Sequence, residues 1–356
     1  MKLTKQELIQ VTEQAEFSFF FDLIARYANI IVSIFGLITN SIHLSILTQK
    51  SLKSNSVFLI MAMIAFFDLI LLFSLLAADI LYILEYNDDD YCSGLHYYEF
   101  GIASIFTNLF TIFSRFMVMW MTVAMALLRI ISLKFAMSSW SEKLSKPSTA
   151  YLILLIFAFL GFSYCFAHYL LVYNIRKTPD FFMCDFPRHI LTKPQYTLAG
   201  ERKNHEALEF FNFLDEIDRF LQAFMYIFCT VCLAIFLRKR AKNRILQNRE
   251  EHERGERTEG LIFVTIFSFV IARVPMIIYT LWIRFSDFWS PRFFITLAMT
   301  TMVIFQTINA SIQLFICFFM STPYRDVAKK MYFCERSNTR IVPSNQYAVS
   351  EAENYS

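Results

Sequence analysis

Phe113-Ser-Arg-Phe-Met-Val-Met-Trp-Met-Thr-Val-Ala-Met-Ala-Leu-Leu-Arg-Ile-Ile-Ser-Leu-Lys134 decides how this chain is read. Two arginines interrupt an apolar run that extends back to Gly101. A run of that length crosses a bilayer, whose hydrocarbon core takes ~20 apolar helical residues. A guanidinium in hydrocarbon costs a few kcal/mol even on the mildest scale, so each arginine must face protein or reach an interface. Arg129, close to Lys134, reaches the cytoplasmic edge. Arg115 lies fourteen residues earlier, ~21 Å up the axis at ~1.5 Å per residue. One helix thus joins an inner mouth to an outward cavity, and the other segments are expected to bundle around it.

The bulk composition agrees. Apolar residues make up 56% of the 356 and charged residues 18%, below the ~25% usual in soluble domains. This excludes an ordinary water-soluble globule. Seven cysteines are too few for a dense disulfide framework, and their odd number leaves one thiol over. There is no phosphate-cradling glycine loop and no HExxH, so no enzyme, metal or cofactor is expected. Cys229 and Cys232 have CxxC spacing but lie in an apolar helix without nearby histidine ligands. His43 and His168 read as helix–helix hydrogen-bonding groups, and nothing points to nucleic acid.

Seven apolar spans are read: 27–47, 57–84, 101–133, 151–173, 210–237, 261–283 and 293–320. The expected fold is all-α, a seven-transmembrane helix bundle in a lipid bilayer. Loop charge gives its orientation. Lys50 and Lys53, then Lys134, Lys143 and Lys146, then Arg238, Lys239, Arg240, Lys242 and Arg244, then Arg325, Lys329 and Lys330 mark alternate loops as cytoplasmic. Glu85-Tyr-Asn-Asp-Asp-Asp90 marks an outer one. The N-terminus is therefore expected outside and the C-terminus in the cytoplasm, which an odd number of spans requires. The domains follow as an extracellular segment 1–26, a receptor domain 27–320, a cytoplasmic amphipathic and basic segment 321–336, and a disordered tail 337–356. Residues 1–26 show no cleavable signal peptide, so the first span is expected to direct insertion.

Charged and polar groups inside the spans are the candidates for function. Asp68 lies mid-span, with Asn40 and Asn309 as natural partners. It is either part of a switch or a structural hydrogen-bond knot. Pro275 removes a backbone hydrogen bond and kinks its helix, as a hinge or as a static bend. Arg273, just before it, needs an inward partner. Asp79 and Asp218 near the outer mouth, with Arg115, are the pocket candidates. The plainer alternative for the outer loop acids is avoidance of Lys and Arg. Cys92 and Cys184 share the oxidising side and either form a disulfide or stay as loop thiols. Cys334 follows the basic stretch as a palmitoylation candidate or a free thiol.

Taken in order, these features resemble a rhodopsin-like G-protein-coupled receptor. Gly36 to Asn40 resembles the family's Gly-Asn pair. Ile64-Ala-Phe-Phe-Asp68 resembles Leu-Ala-x-x-Asp, and Phe269-Val-Ile-Ala-Arg-Val-Pro275 resembles Phe-x-x-Cys-Trp-x-Pro. More narrowly, Asn40-Ser-Ile-His-Leu-Ser-Ile-Leu47, Met125-Ala-Leu-Leu-Arg129 and the run from Asn309 to Arg325 resemble nematode serpentine receptors of the Srw family, related to FMRFamide-type peptide receptors. The likeness covers about 27–333. It departs at Leu128-Arg129-Ile130 for Asp-Arg-Tyr, at Arg273 for the toggle tryptophan, and at Ala310 and Gln313 in the Asn-Pro-x-x-Tyr region. Val118 and Phe305 fall where the family's sodium pocket carries polar groups.

The resemblance implies a plasma-membrane receptor for an extracellular ligand, most naturally an FMRFamide-like neuropeptide, coupled to a heterotrimeric G protein. Asp79, Arg115 and Asp218 would line the pocket, with Asn40, Asp68, Arg273, Pro275 and Asn309 as the switch. Arg129, Arg238, Lys239, Arg240 and Lys242 would meet the G protein. A chemosensory receptor for a small environmental cue is the first alternative. A transporter or channel is the second, disfavoured because no internal repeat is visible and few spans are broken.

Overall fold

A computed structural model describes residues 5–87, 98–134, 143–144, 146–173, 175–177, 196–198, 205–244 and 292–332, with side chains for most of them. Nine helices account for nearly all of these: α1 Lys5–Leu47, α2 Lys50–Lys53, α3 Ser56–Asn87, α4 Tyr98–Lys134, α5 Pro147–Val172, α6 His205–Arg244, α7 Arg292–Ser311, α8 Gln313–Met320 and α9 Thr322–Tyr332. Two short strands, β1 Ile175–Lys177 and β2 Tyr196–Leu198, pair antiparallel in the connection between α5 and α6.

The starts are set by capping chemistry. Asn55 precedes α3, and its Oδ1 accepts the Val57 amide at 2.9 Å. Pro147 opens α5, where its missing amide costs nothing. Ser321 stands before α9 with extended backbone, and its carbonyl accepts the Arg325 amide at 2.9 Å.

Five described helices are long and apolar enough to cross a bilayer: Phe20–Leu47, Ser56–Leu84, Tyr98–Ser132, Pro147–Val172 and Glu206–Phe236. Val303–Phe319 and Thr322–Tyr332, set at 94° to each other, pass the same test together and make a sixth candidate. The expected sixth span, 261–283, lies outside the described residues.

Helix α4 is the centre. It packs against α3, α5 and α6 and touches both strands. Met117, Val118, Met121 and Leu128 recur at helical spacing on one buried face and meet Leu59, Ile60, Met63, Ile64 and Phe67 of α3. Met119 and Val123 on another face meet Tyr226 of α6. By contrast α5 turns Leu155, Phe159, Phe162 and Phe166 outward, with Phe159 72% exposed. Such a surface is stable only against acyl chains, where apolar side chains meet a solvent as apolar as themselves.

Two boundaries differ from the sequence reading. Helix α1 runs on through residue 26, where an extracellular segment was expected to end, because Asp22 and Arg26 satisfy each other across one turn and need no water-filled loop. The last span is locally irregular at Ile312, between α7 and α8, although the Ile312 amide and carbonyl keep helical bonds to Ile308 and Ile316.

Candidate ligand pocket and signalling switch

Asp22, Arg26, Asn29, Ser33, Gly36, Asn40 and His43 recur along α1 at alternating steps of four and three. That period keeps one stripe facing the same neighbours. The stripe is buried except for the partly exposed Arg26, while Ile24, Ile31 and Ile38 on the other side are exposed. Most of its charged and polar groups find partners: Asp22 on α1 itself, Arg26, Asn29 and Asn40 on α3 or α7, and His43 on α9.

At the far end of the stripe from α9, Arg26 Nε donates to Asp22 Oδ2 at 2.8 Å and Nη1 donates to Asp79 Oδ1 at 3.0 Å. The guanidinium lies 3.6 Å over the Tyr82 ring. The second Asp79 oxygen accepts Asn29 Nδ2 at 2.5 Å, and Thr307 of α7 donates to Asn29 Oδ1 at 2.7 Å. Asp79 was expected as a ligand contact; its carboxylate is held on both oxygens by α1.

Midway, Gly36 lets α1 and α7 approach closely. A Cβ there would collide with Ser311 Oγ and lie 2.9 Å from Leu72 Cδ1. The approach brings Thr39 Oγ1 to the Ser311 carbonyl at 3.0 Å and Asn40 Nδ2 to the Ala310 carbonyl at 2.9 Å, beside Ile312. Asp68 is fully buried nearby in sequence on α3. The Asn40 amide nitrogen is committed to the Gly36 and Ala310 carbonyls. Asn40 Oδ1, Asn309 Oδ1, Ser33 Oγ and Ser114 Oγ are buried with no hydrogen bond among the described residues.

A separate polar contact joins α4 to α6. Trp120 Nε1 donates to Asp218 Oδ1 at 3.0 Å, and Gln222 Nε2 to Asp218 Oδ2 at 2.6 Å. Arg115 lies half-buried on α4, five residues before Trp120. Farther along the same helices His168 packs edge-on to Phe211 at 4.9 Å, and Asn108 of α4 hydrogen-bonds the Tyr173 hydroxyl.

At the opposite end, α9 tucks Tyr324 and Ala328 against Ile46, Leu47 and Leu52. His43 Nδ1 and the Tyr324 hydroxyl are 2.7 Å apart. Burial holds the Tyr324 phenol far above its ordinary range, so it stays protonated, and the His43 tautomer sets which of the two donates. Arg129 is half-buried near the end of α4 and Arg238 exposed on α6. Lys239, Arg240 and Lys242 continue that helix. Cys92, Cys184, Cys334, Arg273 and Pro275 lie outside the described residues.

A family model for the serpentine type 7TM GPCR chemoreceptor Srw matches residues 27–335. The chain belongs to the Srw family. A search of curated proteins returned no match. As an Srw receptor it is a seven-transmembrane, multi-pass protein of the plasma membrane and a G-protein-coupled receptor, not an enzyme. The residues that sequence reasoning passed over in this Srw receptor are Asp22, Arg26, Asn29, Tyr82, Thr307 and Trp120. The seven-residue recurrence on α1 was the available signal for the first three. Tyr82, Thr307 and Trp120 carried none, because their roles depend on which helix lies opposite.

Proposed function

We propose that this Srw receptor answers a short peptide, FMRFamide-like in type, from its extracellular side and passes the signal to a heterotrimeric G protein. The observation that carries the reading is Asp218, a carboxylate between α4 and α6 whose oxygens are held by donors, Trp120 Nε1 and Gln222 Nε2, that a ligand's ammonium or amide N–H groups would replace. A peptide offers such donors along its backbone and at its amino end. Arg115 would receive the carbonyl-rich part of the ligand, with Asp79 marking the far wall. The basic loops support an N-terminus outside and a C-terminus inside.

The mechanism is a shift between two packings, and a ligand favours one only by binding it better. Engaging Asp218 loosens the α4–α6 contact through Trp120. The sixth span, hinged at Pro275 with Arg273 and Asp68 repartnered, would then open the inner end beside Arg129. The G protein would meet Arg129, Arg238, Lys239, Arg240 and Lys242. Cys92 and Cys184 would tie the outer loops and Cys334 would anchor the tail.

A second reading, a small environmental cue, is favoured by the family's description as chemoreceptors. A screen of amidated peptides against cells carrying the receptor and a promiscuous G-protein reporter separates the two. The expected result is a peptide response lost in Asp218→Asn and in Arg129→Ala at unchanged surface number. Responses confined to small non-peptide cues would overturn the peptide assignment, and substrate flux without any reporter signal would overturn the receptor mechanism.

A further inference from the structure

The α1 seam continues past Asp79. Arg26 holds Asp79, Asp79 holds Asn29, and Asn29 accepts from Thr307 on α7. One turn on, Ser311 Oγ donates to the Thr307 carbonyl at 2.7 Å. The Ser311 carbonyl in turn accepts Thr39 Oγ1. A chain of hydrogen bonds therefore runs from a charge pair on α1 and α3 to the point where α7 gives way to α8. From Asp22 to Asn40 this covers ~27 Å of α1, most of a bilayer's depth. Side chains and the Thr307 and Ser311 carbonyls make its links.

We infer that Arg26, Asn29 and Thr307 are positioning residues for signalling: together they hold α7 against α1 in the quiescent arrangement. This rests on the receptor reading above and adds to it a brake formed by Arg26, Asn29 and Thr307, behind the pocket wall at Asp79. The physical argument is one of constraint. Gly36 against Ser311 leaves α7 no slack sideways. Thr39 and Asn40 hold the carbonyls beside Ile312. Any rearrangement that slides α7 along α1 must first part Thr307 from Asn29. Parting them strips Asn29 of its donor and Asp79 of a well-placed amide, next to a buried charge pair that tolerates such loss poorly. Coupling then travels through a contiguous network with two discrete arrangements, tied and untied, which is the physical requirement for transmission between distant sites. Asp22 and Asp79 face Arg26 from α1 and α3, and Tyr82 covers it from α3. The guanidinium, with its side chain 26% exposed, closes the seam over two carboxylates that are nearly buried.

The mildest cut is Thr307→Val, which keeps shape and removes only the hydroxyl. In the full-length receptor with a G-protein reporter and no ligand added, its output per surface receptor is expected to rise about five-fold, the worth of one net hydrogen bond. Arg26→Gln is expected to raise it further, and Arg26→Lys to restore part of the restraint, since lysine keeps the charge but not the two-pronged geometry. A companion Arg129→Ala control tells the two proposals apart. If it silences ligand-free output while Thr307→Val and Arg26→Gln leave that output at the parent level, the seam is not a brake. If it changes nothing, the receptor mechanism is at fault, and the seam is then judged on purified protein. There, a double-mutant cycle of Arg26→Gln with Thr307→Val in thermal unfolding is expected to be non-additive. Additive losses would overturn the inference without reference to signalling.

Discussion

Gly36 shows how much one missing methyl group decides. The contact it permits, with Ser311 and Leu72, fixes the distance between α1, α3 and α7. Gly36→Val is expected to lower thermal stability by about 1–3 kcal/mol, as overpacking does. Thermal unfolding of detergent-purified receptor would measure it, and an unchanged midpoint would mean the helices part more readily than the geometry allows. Asp79 makes the opposite case, a group that is present and expensive. Asp79→Ala strands Arg26 beside a single carboxylate and is expected to cost a few kcal/mol and much of the surface population. Asp79→Asn, which keeps an acceptor for Arg26, is expected to cost less. Surface labelling of the two variants side by side tests the order. Both carboxylates, Asp79 and Asp218, were conspicuous in the sequence because charge in a span is rare. Their partners were not, since Trp120 and Asn29 look like ordinary span residues until the neighbouring helix is known.

At the level of the element, α9 is held by side chains rather than by length. Tyr324 reaches His43, and Tyr332 reaches Ser45 at 2.7 Å. Tyr324→Phe removes the hydroxyl and leaves His43 without that partner, an expected loss of about 1 kcal/mol. Tyr324→Ala also empties a fully buried site and is expected to cost about 3–5 kcal/mol, by analogy with other aromatic truncations. Hydrogen exchange of the α9 amides would report both, and equal exchange in the two variants would show that the helix docks by other means. The sequence signalled α9 through its amphipathic and basic residues, but not the right-angle turn, which follows from Ser321 leaving helical backbone. In the same way, hydropathy ended the extracellular part at residue 26. Hydropathy could not show that Asp22 and Arg26 neutralise each other on a continuing helix.

For the molecule as a whole, seven crossings put the two termini on opposite sides of the membrane. An epitope at the N-terminus is expected to be labelled on intact cells, and one at the C-terminus only after permeabilisation. Labelling of both without permeabilisation would contradict the count. Spans of ~20 apolar residues were legible because burial in lipid demands an unbroken greasy run. The division of labour among them was legible only in part. The arginines of α4 marked it as the centre, and it is enclosed by neighbours; nothing in the uncharged run of α5 showed that it mostly faces acyl chains. Only packing identifies the wall.

The four-and-three stepping of the α1 stripe has a consequence for length. Each residue added to a helix rotates everything beyond it by ~100°. A single insertion between Asn29 and Asn40 would leave Asn40 at the α7–α8 junction but swing Asp22, Arg26 and Asn29 away from α3 and into oil. This helix can trade side chains on its greasy flank, but it cannot gain or lose one position without unthreading itself from its neighbours.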